Sequence, residues 1–316
     1  MIITLTLNPA LDKTARVDVM KPNALNRLRD LTLNAGGKGV NVSAMIHSLG
    51  AESIAVGFAG GGAGEELLSL IAKKGLRADF VPIAAITRTN LKVIDNDGAL
   101  TELNEPGPRV SVDEWAALER KLAGLAEKGC TVVMSGSLPA GLGKDTYQKL
   151  SAMLRRMGAA VFLDADGEAL KLALENGPGA IPNYIKPNRF ELLQYFGAAD
   201  DDRVDEAKLI ELCRSLLDKG IELVALSMGG EGAIFTNKNG VWRAPAVPVE
   251  LRSTVGAGDS MTGALVYGFA NALPEEQCFA LAMAASAGAC TTEGTNPPDR
   301  ALVDELLKQA RIEKIV

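Results

Sequence analysis

The chain has 316 residues, of which 47% are hydrophobic, and a formal net charge of −6 at pH 7. This length and apolar content predict a globular protein with a large core, built as one large α/β domain or two smaller ones. The negative charge excludes the broad basic surface typical of nucleic-acid-binding and anionic-membrane-binding proteins, so an anionic ligand must be held by local positive groups.

The amino-terminal segment reads as a strand, IITLTL, directly after Met1. It carries neither the basic stretch nor the cleavage pattern of a secretory signal, which predicts a cytoplasmic protein. The four cysteines have no C-x-x-C spacing and His47 is the single histidine. Zinc sites, redox motifs and histidine-based triads are therefore disfavoured, and His47 is interpreted as structural. The apolar segment 278–290 is shorter than the ~18 residues that a membrane span needs and is expected to be a packed helix.

Two strand-like segments, at about 14–34 and 88–105, come before the regular part of the chain. The second contains Asp95-Asn96-Asp97-Gly98, whose D-G pair suits a tight hairpin turn. Together they predict a small second sheet that serves as a lid over a ligand site. The alternative is an edge extension of the main sheet.

From residue 111 onward, helical and strand patterns alternate. Ser111 and Glu114 form a capping-box motif, and later helical patterns cover 147–157, 168–174 and 204–219. The strands between them read CTVVMSG, AAVFLDAD, YIKPN and IELVALSMGG. This alternation predicts a doubly wound, mostly parallel α/β sheet flanked by helices. Ligands bind such sheets beyond the carboxyl ends of the strands, where SGSLP, KPN and SMGG are expected to lie.

A glycine-rich segment, NAGGKGVNVS, occupies residues 34–43. It is not a Walker A loop, because Gly39 follows Lys38 and Thr32 stands where the distant glycine would be. It predicts a turn at which backbone approaches a ligand closely, with Lys38 as a point charge and Asn41 able to bond hydroxyl groups. The alternative is a plain helix start with an exposed lysine.

A second glycine-rich turn, STVGAGDSMTGAL, covers residues 253–265 and precedes an apolar helix. The backbone N–H groups of Gly256, Ala257 and Gly258 can converge on an anion, and the helix N-terminus adds partial positive charge there. Asp259 beside this anion site is placed where a base for a hydroxyl group is needed in phosphoryl transfer. The alternative is that Asp259 only caps the helix.

Five short motifs occur in one order along the chain: TLNPALD, AGGKGVNVS, SGSLP, KPNRFE and TVGAGDSM. In this order the chain resembles the PfkB (ribokinase-like) family of carbohydrate kinases over essentially its whole length. The resemblance implies a single ribokinase-like α/β kinase domain over residues 1–316 with the lid strands inserted in it. It also implies ATP and Mg²⁺ as cofactors, and a homodimer formed through the lid.

The resemblance also implies roles for individual residues. Asp259 is the base and the N–H groups of Gly256 to Asp259 form the anion hole. Residues matching sugar-binding positions are Asp12, Gly36, Gly37, Lys38, Asn41 and Ser137, and Arg27 matches a position that reaches the sugar phosphate from the neighbouring subunit. Arg88 is a further candidate for the sugar phosphate, because a guanidinium can hold a phosphate with two hydrogen bonds and this one is expected at the base of the predicted lid. Residues matching nucleotide-binding positions are Lys186, Asn188, Glu191, Ser227, Gly229 and Gly232, of which Asn188 and Glu191 order Mg²⁺ through water.

Several of these residues have simpler interpretations. Asp12 could be an ordinary loop-capping residue, and residues 227–232 could be a strand-to-hairpin loop. Arg27 and Arg88 could be solvated strand residues. The apolar side chains of Val17, Val19, Leu31 and Leu33 could pack on a partner's lid or on their own domain.

The TLNPALD opening resembles the branch of the family that contains 1-phosphofructokinase and tagatose-6-phosphate kinase. The resemblance implies ATP-dependent phosphorylation of fructose 1-phosphate at O6 to give fructose 1,6-bisphosphate. The alternatives are a tagatose-6-phosphate kinase and a 6-phosphofructokinase of the same family. A non-catalytic sugar or nucleotide sensor is a more remote alternative, because a sensor needs no base.

Overall fold

The structure is a computed structural model that describes residues 1–198 and 204–316. The strands in these residues are β1 (Ile2–Thr6), β2 (Ala10–Arg16), β3 (Arg29–Gly36), β4 (Ile54–Ala59), β5 (Arg77–Ala78), β6 (Val81–Pro82), β7 (Arg88–Ile94), β8 (Leu100–Asn104), β9 (Thr131–Ser135), β10 (Ala160–Asp164), β11 (Tyr184–Ile185), β12 (Leu223–Ser227), β13 (Ala233–Asn237), β14 (Gly240–Ala244) and β15 (Glu313–Lys314). The helices are α1 (Lys38–Ser48), α2 (Gly61–Lys73), α3 (Val112–Leu125), α4 (Thr146–Arg156), α5 (Gly167–Ala173), α6 (Arg189–Phe196), α7 (Glu206–Asp218), α8 (Ala257–Ala270), α9 (Glu275–Ala289) and α10 (Arg300–Leu307).

The large sheet runs in the order β15, β14, β13, β12, β11, β10, β9, β1, β4, β5, with β6 beside β4. Its strands are parallel from β12 across to β5 and β6, and β13 to β15 extend it as antiparallel neighbours. The predicted doubly wound, mostly parallel sheet is confirmed. The segment IELVALSMGG forms β12, which pairs in parallel on one side and antiparallel on the other.

The hydrophobic core lies on both faces of this sheet, because alternate residues of a strand point to opposite faces. In β10, Val161 and Leu163 pack into the cluster formed with α3 to α7. Phe162 lies between them in sequence and packs instead with α1, α8, α9 and α10. Ser111 and Glu114 form the predicted capping box at the start of α3. Helices thus cover both faces, which leaves the carboxyl ends of the parallel strands for a ligand.

A separate small sheet has the order β3, β2, β7, β8. It confirms the predicted second sheet, but its strand bounds differ from the prediction. The first strand begins at Ala10 instead of Thr14, and residues 17–28 connect β2 to β3 outside regular strand. The predicted start was wrong because β2 carries the charged Asp12 on a buried face, and a charged residue at a buried position does not fit the apolar pattern expected of a strand.

The apolar segments, the single histidine and the cysteines can also be located in the fold. Within residues 1–198 and 204–316, no helix is long and apolar enough to cross a membrane. The segment 278–290 lies largely in α9, which packs into the core as expected. His47 is exposed in the last turn of α1. Cys130, Cys213 and Cys278 are buried free thiols.

Candidate active site

A cavity of about 690 Å³ lies between the carboxyl ends of the parallel strands and the small sheet. It brings together most of the residues that the sequence pointed to, although they come from distant parts of the chain. The predicted residues that line it are Asp12, Gly37, Lys38, Asn41, Arg88, Ser137, Lys186, Asn188, Glu191, Ser227, Gly229, Gly232, Gly256, Ala257, Gly258 and Asp259.

Two predicted residues do not line this cavity. Arg27 lies exposed in the connection between β2 and β3, so within this chain it is not part of the site. Gly36 ends β3 directly behind Asp12, where a Cβ atom would lie 2.5 Å from the Asp12 Cγ atom. Gly36 therefore makes room for the Asp12 carboxylate and does not itself face the cavity.

A Gly36→Ala substitution is expected to displace the Asp12 carboxylate. In the sugar kinase that the sequence resembles, it should raise the sugar KM at least ~10-fold, while the KM for ATP stays within about twofold. The physical reason is that a methyl group cannot occupy space already filled by a carboxylate. Steady-state kinetics with either substrate varied would measure this. Gly62→Ala is the matched control, since a Cβ there meets no atom within 4 Å. An unchanged sugar KM in Gly36→Ala would contradict the prediction that the Asp12 carboxylate binds the sugar.

Asp259 lies in the first turn of α8, which starts from a glycine turn. Gly256 is the N-cap residue with φ 84°, a left-handed conformation that favours glycine. Asp259 is the third residue of the helix, and no side chain caps this N-terminus. Its Oδ2 atom accepts a hydrogen bond of 2.7 Å from Asn41 Nδ2. The simple capping interpretation is therefore wrong, and the carboxylate belongs to the cavity.

The environment of Asp259 favours the protonated carboxyl group. Only 7% of the residue is exposed, and this burial, followed by the negative charge of Asp164, raises the pKa of Asp259 to about 6. Asn41, Lys38 and Lys186 oppose the shift. A carboxylate with a pKa near 6 is ionised at pH 7, yet holds a proton more strongly than an exposed one, which suits a general base.

Two lysines flank Asp164, which is the last residue of β10. Lys38 Nζ donates to Asp164 Oδ1 at 3.1 Å, and Lys186 Nζ lies 3.4 Å from Oδ2. Burial works to raise the pKa of Asp164, but the two ammonium groups outweigh it and lower that pKa. Lys186 also lies against the glycine turn, since a Cβ on Gly258 would be 3.1 Å from its Nζ atom. Asp164 thus holds two cations beside the predicted anion hole.

The small sheet supplies the other end of the cavity. Asp12 lies within β2 and is 6% exposed. Its Oδ1 atom accepts a hydrogen bond from Asn90 Nδ2 at 3.0 Å, and its Oδ2 atom lies 3.4 Å from Lys92 Nζ. The loop-capping interpretation of Asp12 is wrong, because the residue is in mid-strand with its carboxylate held by two side chains of β7.

Arg88, at the start of β7, is half-buried and its guanidinium faces backbone. It donates to the carbonyl oxygens of Asn8 and Glu105 at 3.0 and 3.1 Å, while its Nε atom is buried without a hydrogen-bond partner among the described residues. Burial lowers the pKa of Arg88. Arg88 is therefore not a solvated strand residue, although two of its guanidinium nitrogen atoms already donate hydrogen bonds to backbone carbonyl oxygens.

The model of the pfkB family carbohydrate kinases matches residues 5–301. The chain belongs to the PfkB family of carbohydrate kinases. It is 36% identical over 316 residues to 1-phosphofructokinase of Borreliella burgdorferi, covering 100% of this chain and 99% of that one. It is 34% identical over 315 residues to 1-phosphofructokinase of Bacillus subtilis, covering 100% of both.

Solved structures agree with this assignment. Phosphofructokinase-2 from Escherichia coli, in complex with fructose-6-phosphate, superposes with a TM-score of 0.89 at 28% identity and covers 97% of this chain and 98% of that one. The resemblance to the PfkB (ribokinase-like) family is confirmed, and the chain is a carbohydrate kinase.

The KPNRFE motif of this PfkB chain has a local structural function. Asn188 is the N-cap residue of α6, and its Oδ1 atom accepts from the Glu191 backbone N–H at 2.8 Å. Glu191 Oε2 accepts from the Asn188 backbone N–H at 2.8 Å. This capping box fixes both side chains at the edge of the cavity.

The predicted nucleotide turn after β12 is both a hairpin connection and part of the cavity wall. Residues Gly229–Glu231 form a short 3₁₀ helix between β12 and β13, and Gly232 has φ 98°. A Cβ on Gly232 would lie 2.0 Å from the Ala244 carbonyl oxygen, so only glycine fits. Apolar side chains also line the cavity, with Val247, Met283 and Ala287 among them.

Asn90, Lys92 and Asp164 are among the polar residues that line the cavity and that the sequence missed. Asp164 had a usable signal, because an acid ending the apolar strand AAVFLDAD must emerge at the carboxyl edge of the sheet. Asn90 and Lys92 alternate with apolar residues on β7, which identifies a polar face. Nothing in the sequence shows that this face meets Asp12, since the two strands are 78 residues apart.

Proposed function

We propose that this carbohydrate kinase transfers the γ-phosphoryl group of ATP to O6 of fructose 1-phosphate, giving fructose 1,6-bisphosphate and ADP. The observation that carries the proposal is the buried Asp259 carboxylate at the N-terminus of α8, in the same cavity as Asp12. Asp259 accepts the proton of the O6 hydroxyl as that oxygen attacks the γ-phosphorus, and the bond from this phosphorus to the β,γ-bridging oxygen breaks as ADP leaves. The Asp259 carboxyl group then releases the proton to solvent.

The other residues bind and orient the two substrates. Asp12 and Asn41 bond sugar hydroxyl groups, and Gly37 lets the sugar ring approach the backbone. The N–H groups of residues 256–259, together with Lys38 and Lys186, offset the negative charge on the transferring phosphoryl oxygens. Ser227, Gly229 and Gly232 contact the nucleotide.

The cavity fits a magnesium ion held mainly through water. Within the described ranges 1–198 and 204–316, no cluster of three or more metal-binding side chains occurs, so an all-protein cage is absent there. Mg²⁺ keeps several waters and pairs with substrate phosphates. Asn188 and Glu191, fixed by their capping box, would hold those waters with oxygen atoms. When bound, the ion neutralises charge on the β- and γ-phosphate oxygens.

The choice of sugar rests on the relatives. The chain is 34–36% identical over its full length to two proteins named 1-phosphofructokinase, whereas the enzyme solved with fructose-6-phosphate is 28% identical. ADP release should be measured with fructose 1-phosphate, fructose 6-phosphate, tagatose 6-phosphate and the free sugars. The highest kcat/KM is expected for fructose 1-phosphate. A higher kcat/KM for another sugar would identify that sugar as the substrate in place of fructose 1-phosphate. No ADP release with any of the sugars would favour a non-catalytic sensor.

The pH dependence of kcat/KM for the sugar should report Asp259. Because its pKa is raised to about 6, kcat/KM is expected to fall about tenfold per pH unit below pH 6 and to level off above it. The Asn41 hydrogen bond lowers this pKa, so Asn41→Ala should move the acidic limb to higher pH. Asn90→Ala is the matched control, since Asn90 bonds Asp12 instead. If the acidic limb of the pH profile had the same midpoint in Asn41→Ala and Asn90→Ala, this would argue against Asp259 as the titrating base.

The small sheet supports both a lid and a dimer in this proposal. Val17 is buried in its own chain, whereas Val19, Leu31 and Leu33 are 55%, 56% and 38% exposed. Such a concentration of exposed apolar side chains on a projecting sheet favours contact with a second copy. The sheet would then act as a lid inserted in a single kinase domain, with two lids facing each other. Arg27, exposed beside this surface, would reach the neighbouring subunit's sugar phosphate.

A further inference from the structure

Lys92 is a buried cation for which the proposed reaction has no role so far. It is 8% exposed, lies on β7 and lines the cavity. Arg88, Asn90 and Lys92 are alternate residues of one strand, so all three point to the same face at intervals of about 6.6 Å. That face meets Asp12, which is opposite Asn90 in the parallel pairing of β2 with β7.

The ion pair between Lys92 and Asp12 is loose. Its N···O distance is 3.4 Å, whereas charge-assisted N–H···O bonds are typically about 2.7–2.9 Å long. An ammonium group has three N–H donors, and among residues 1–198 and 204–316 Asp12 is the side chain that pairs with it. Lys92 can therefore bind a further acceptor in the cavity without losing Asp12.

The other cations of the cavity have other partners. Lys38 and Lys186 share Asp164 at the opposite end, beside the glycine turn. The Arg88 guanidinium already donates to two backbone carbonyl oxygens. Among the side chains that line the small-sheet end of the cavity, Arg88 and Lys92 carry two positive charges and Asp12 carries one negative charge, while Glu105, whose charge also acts on Arg88, lines a neighbouring groove. This excess suits a phosphate monoester, which carries about −1.5 to −2 charges at pH 7.

The position of Lys92 also suits the phosphate that the substrate already carries. The attacked hydroxyl must lie at Asp259, which touches Asn41 on α1. Asp12, on the small sheet, is placed to bond the ring hydroxyls. The end of the sugar remote from the attacked hydroxyl then lies over β7, where Lys92 and Arg88 are found.

We propose that Lys92 is a specificity-determining residue that binds the phosphate group of the sugar substrate together with Arg88, and so restricts the kinase to phosphorylated sugars. This inference rests on the proposed function, because it requires a sugar phosphate as acceptor. Lys92 touches substrate without taking part in proton or phosphoryl transfer, so its loss changes which sugars bind more than how fast bound sugar reacts.

The test compares Lys92→Met with wild type on a sugar with and without its phosphate. The variant should raise the KM for fructose 1-phosphate about 10- to 100-fold with kcat within about threefold, while kcat/KM for free fructose and the KM for ATP stay within about twofold. Lys92→Arg should recover most of the affinity. Lys13→Met is the matched control, since Lys13 lies on the neighbouring strand and lines a different groove. An unchanged ratio of the two kcat/KM values would overturn the proposal.

A second measurement uses the wild-type protein and does not depend on a variant that folds. Fructose 1-phosphate should slow acetylation of Lys92 by acetic anhydride, read by peptide mass spectrometry, whereas free fructose should not, and Lys13 should react equally under all conditions. Equal labelling of Lys92 with and without the sugar phosphate would also overturn the inference. If the sugar panel identifies another sugar phosphate, the fructose 1-phosphate assignment fails, and the same comparison with that sugar and its unphosphorylated form still tests Lys92.

Discussion

Asp259→Asn is expected to lower kcat by about 10³-fold or more while ATP and sugar still bind. General-base catalysis contributes roughly 10²–10⁴-fold, and an amide cannot accept the hydroxyl proton. The shape of the site should persist, because the asparagine Oδ1 atom can still accept the hydrogen bond from Asn41. Stopped-flow single-turnover kinetics with saturating ATP would isolate the transfer step. Turnover within tenfold of wild type would show that another group removes the proton.

The same variant should be more stable than wild type at pH 8. Burial raises the pKa of Asp259 from 3.8 to about 6, which means that the fold disfavours the ionised carboxylate. This cost is present above the folded pKa and disappears below the unfolded one. Asparagine removes it, so the free energy of unfolding at pH 8 should rise by about 1–3 kcal/mol, and the gain should vanish near pH 4. Urea denaturation at both pH values would separate lost chemistry from lost folding.

Asp164→Ala should cause the largest loss of stability, about 3–5 kcal/mol in the free energy of unfolding. The Asp164 side chain is 1% exposed and is the shared counter-ion of Lys38 and Lys186. Without it, the buried ammonium group of Lys186 loses its counter-ion and lies near the partly exposed ammonium group of Lys38, which repels it. Urea denaturation at pH 7.5 would measure the loss, and kcat should fall as well because both cations adjoin the glycine turn.

Two further variants make this expectation specific to the ion cluster. Asp166→Ala is the matched control, because Asp166 is exposed two residues further along and makes no side-chain cap on α5; it should change stability by less than about 0.5 kcal/mol. Asp164→Asn keeps the size of the side chain and removes its charge, so it should resemble Asp164→Ala. If Asp164→Asn matched wild type in stability, the charge of Asp164 would not be what holds the two lysines.

The local chemistry of the site was largely predictable, because each motif is a continuous stretch of chain. A glycine turn before an apolar helix indicates a candidate anion site, so Gly256 and Asp259 could be singled out from the sequence. The mostly parallel sheet was predictable from the alternation of helical and strand patterns after residue 111. The start of β2 was not predictable in this way, because the charged Asp12 interrupts the apolar pattern. Its counter-ion, Lys92, lies on β7, which is distant in sequence and adjacent in space.

What the sequence determined by itself is many of the chemical groups of the site and the order of the elements that carry them, since both follow from local periodicity and from motifs of adjacent residues. Only the tertiary structure decided which groups meet. Asn41 bonds Asp259 across 218 residues, and Lys38 reaches Asp164 across 126. Lys92 pairs with Asp12 because β2 and β7 lie side by side. Such contacts set the charge balance of the cavity and the pKa of Asp259, and they depend on strand pairing and burial, which no short stretch of sequence encodes.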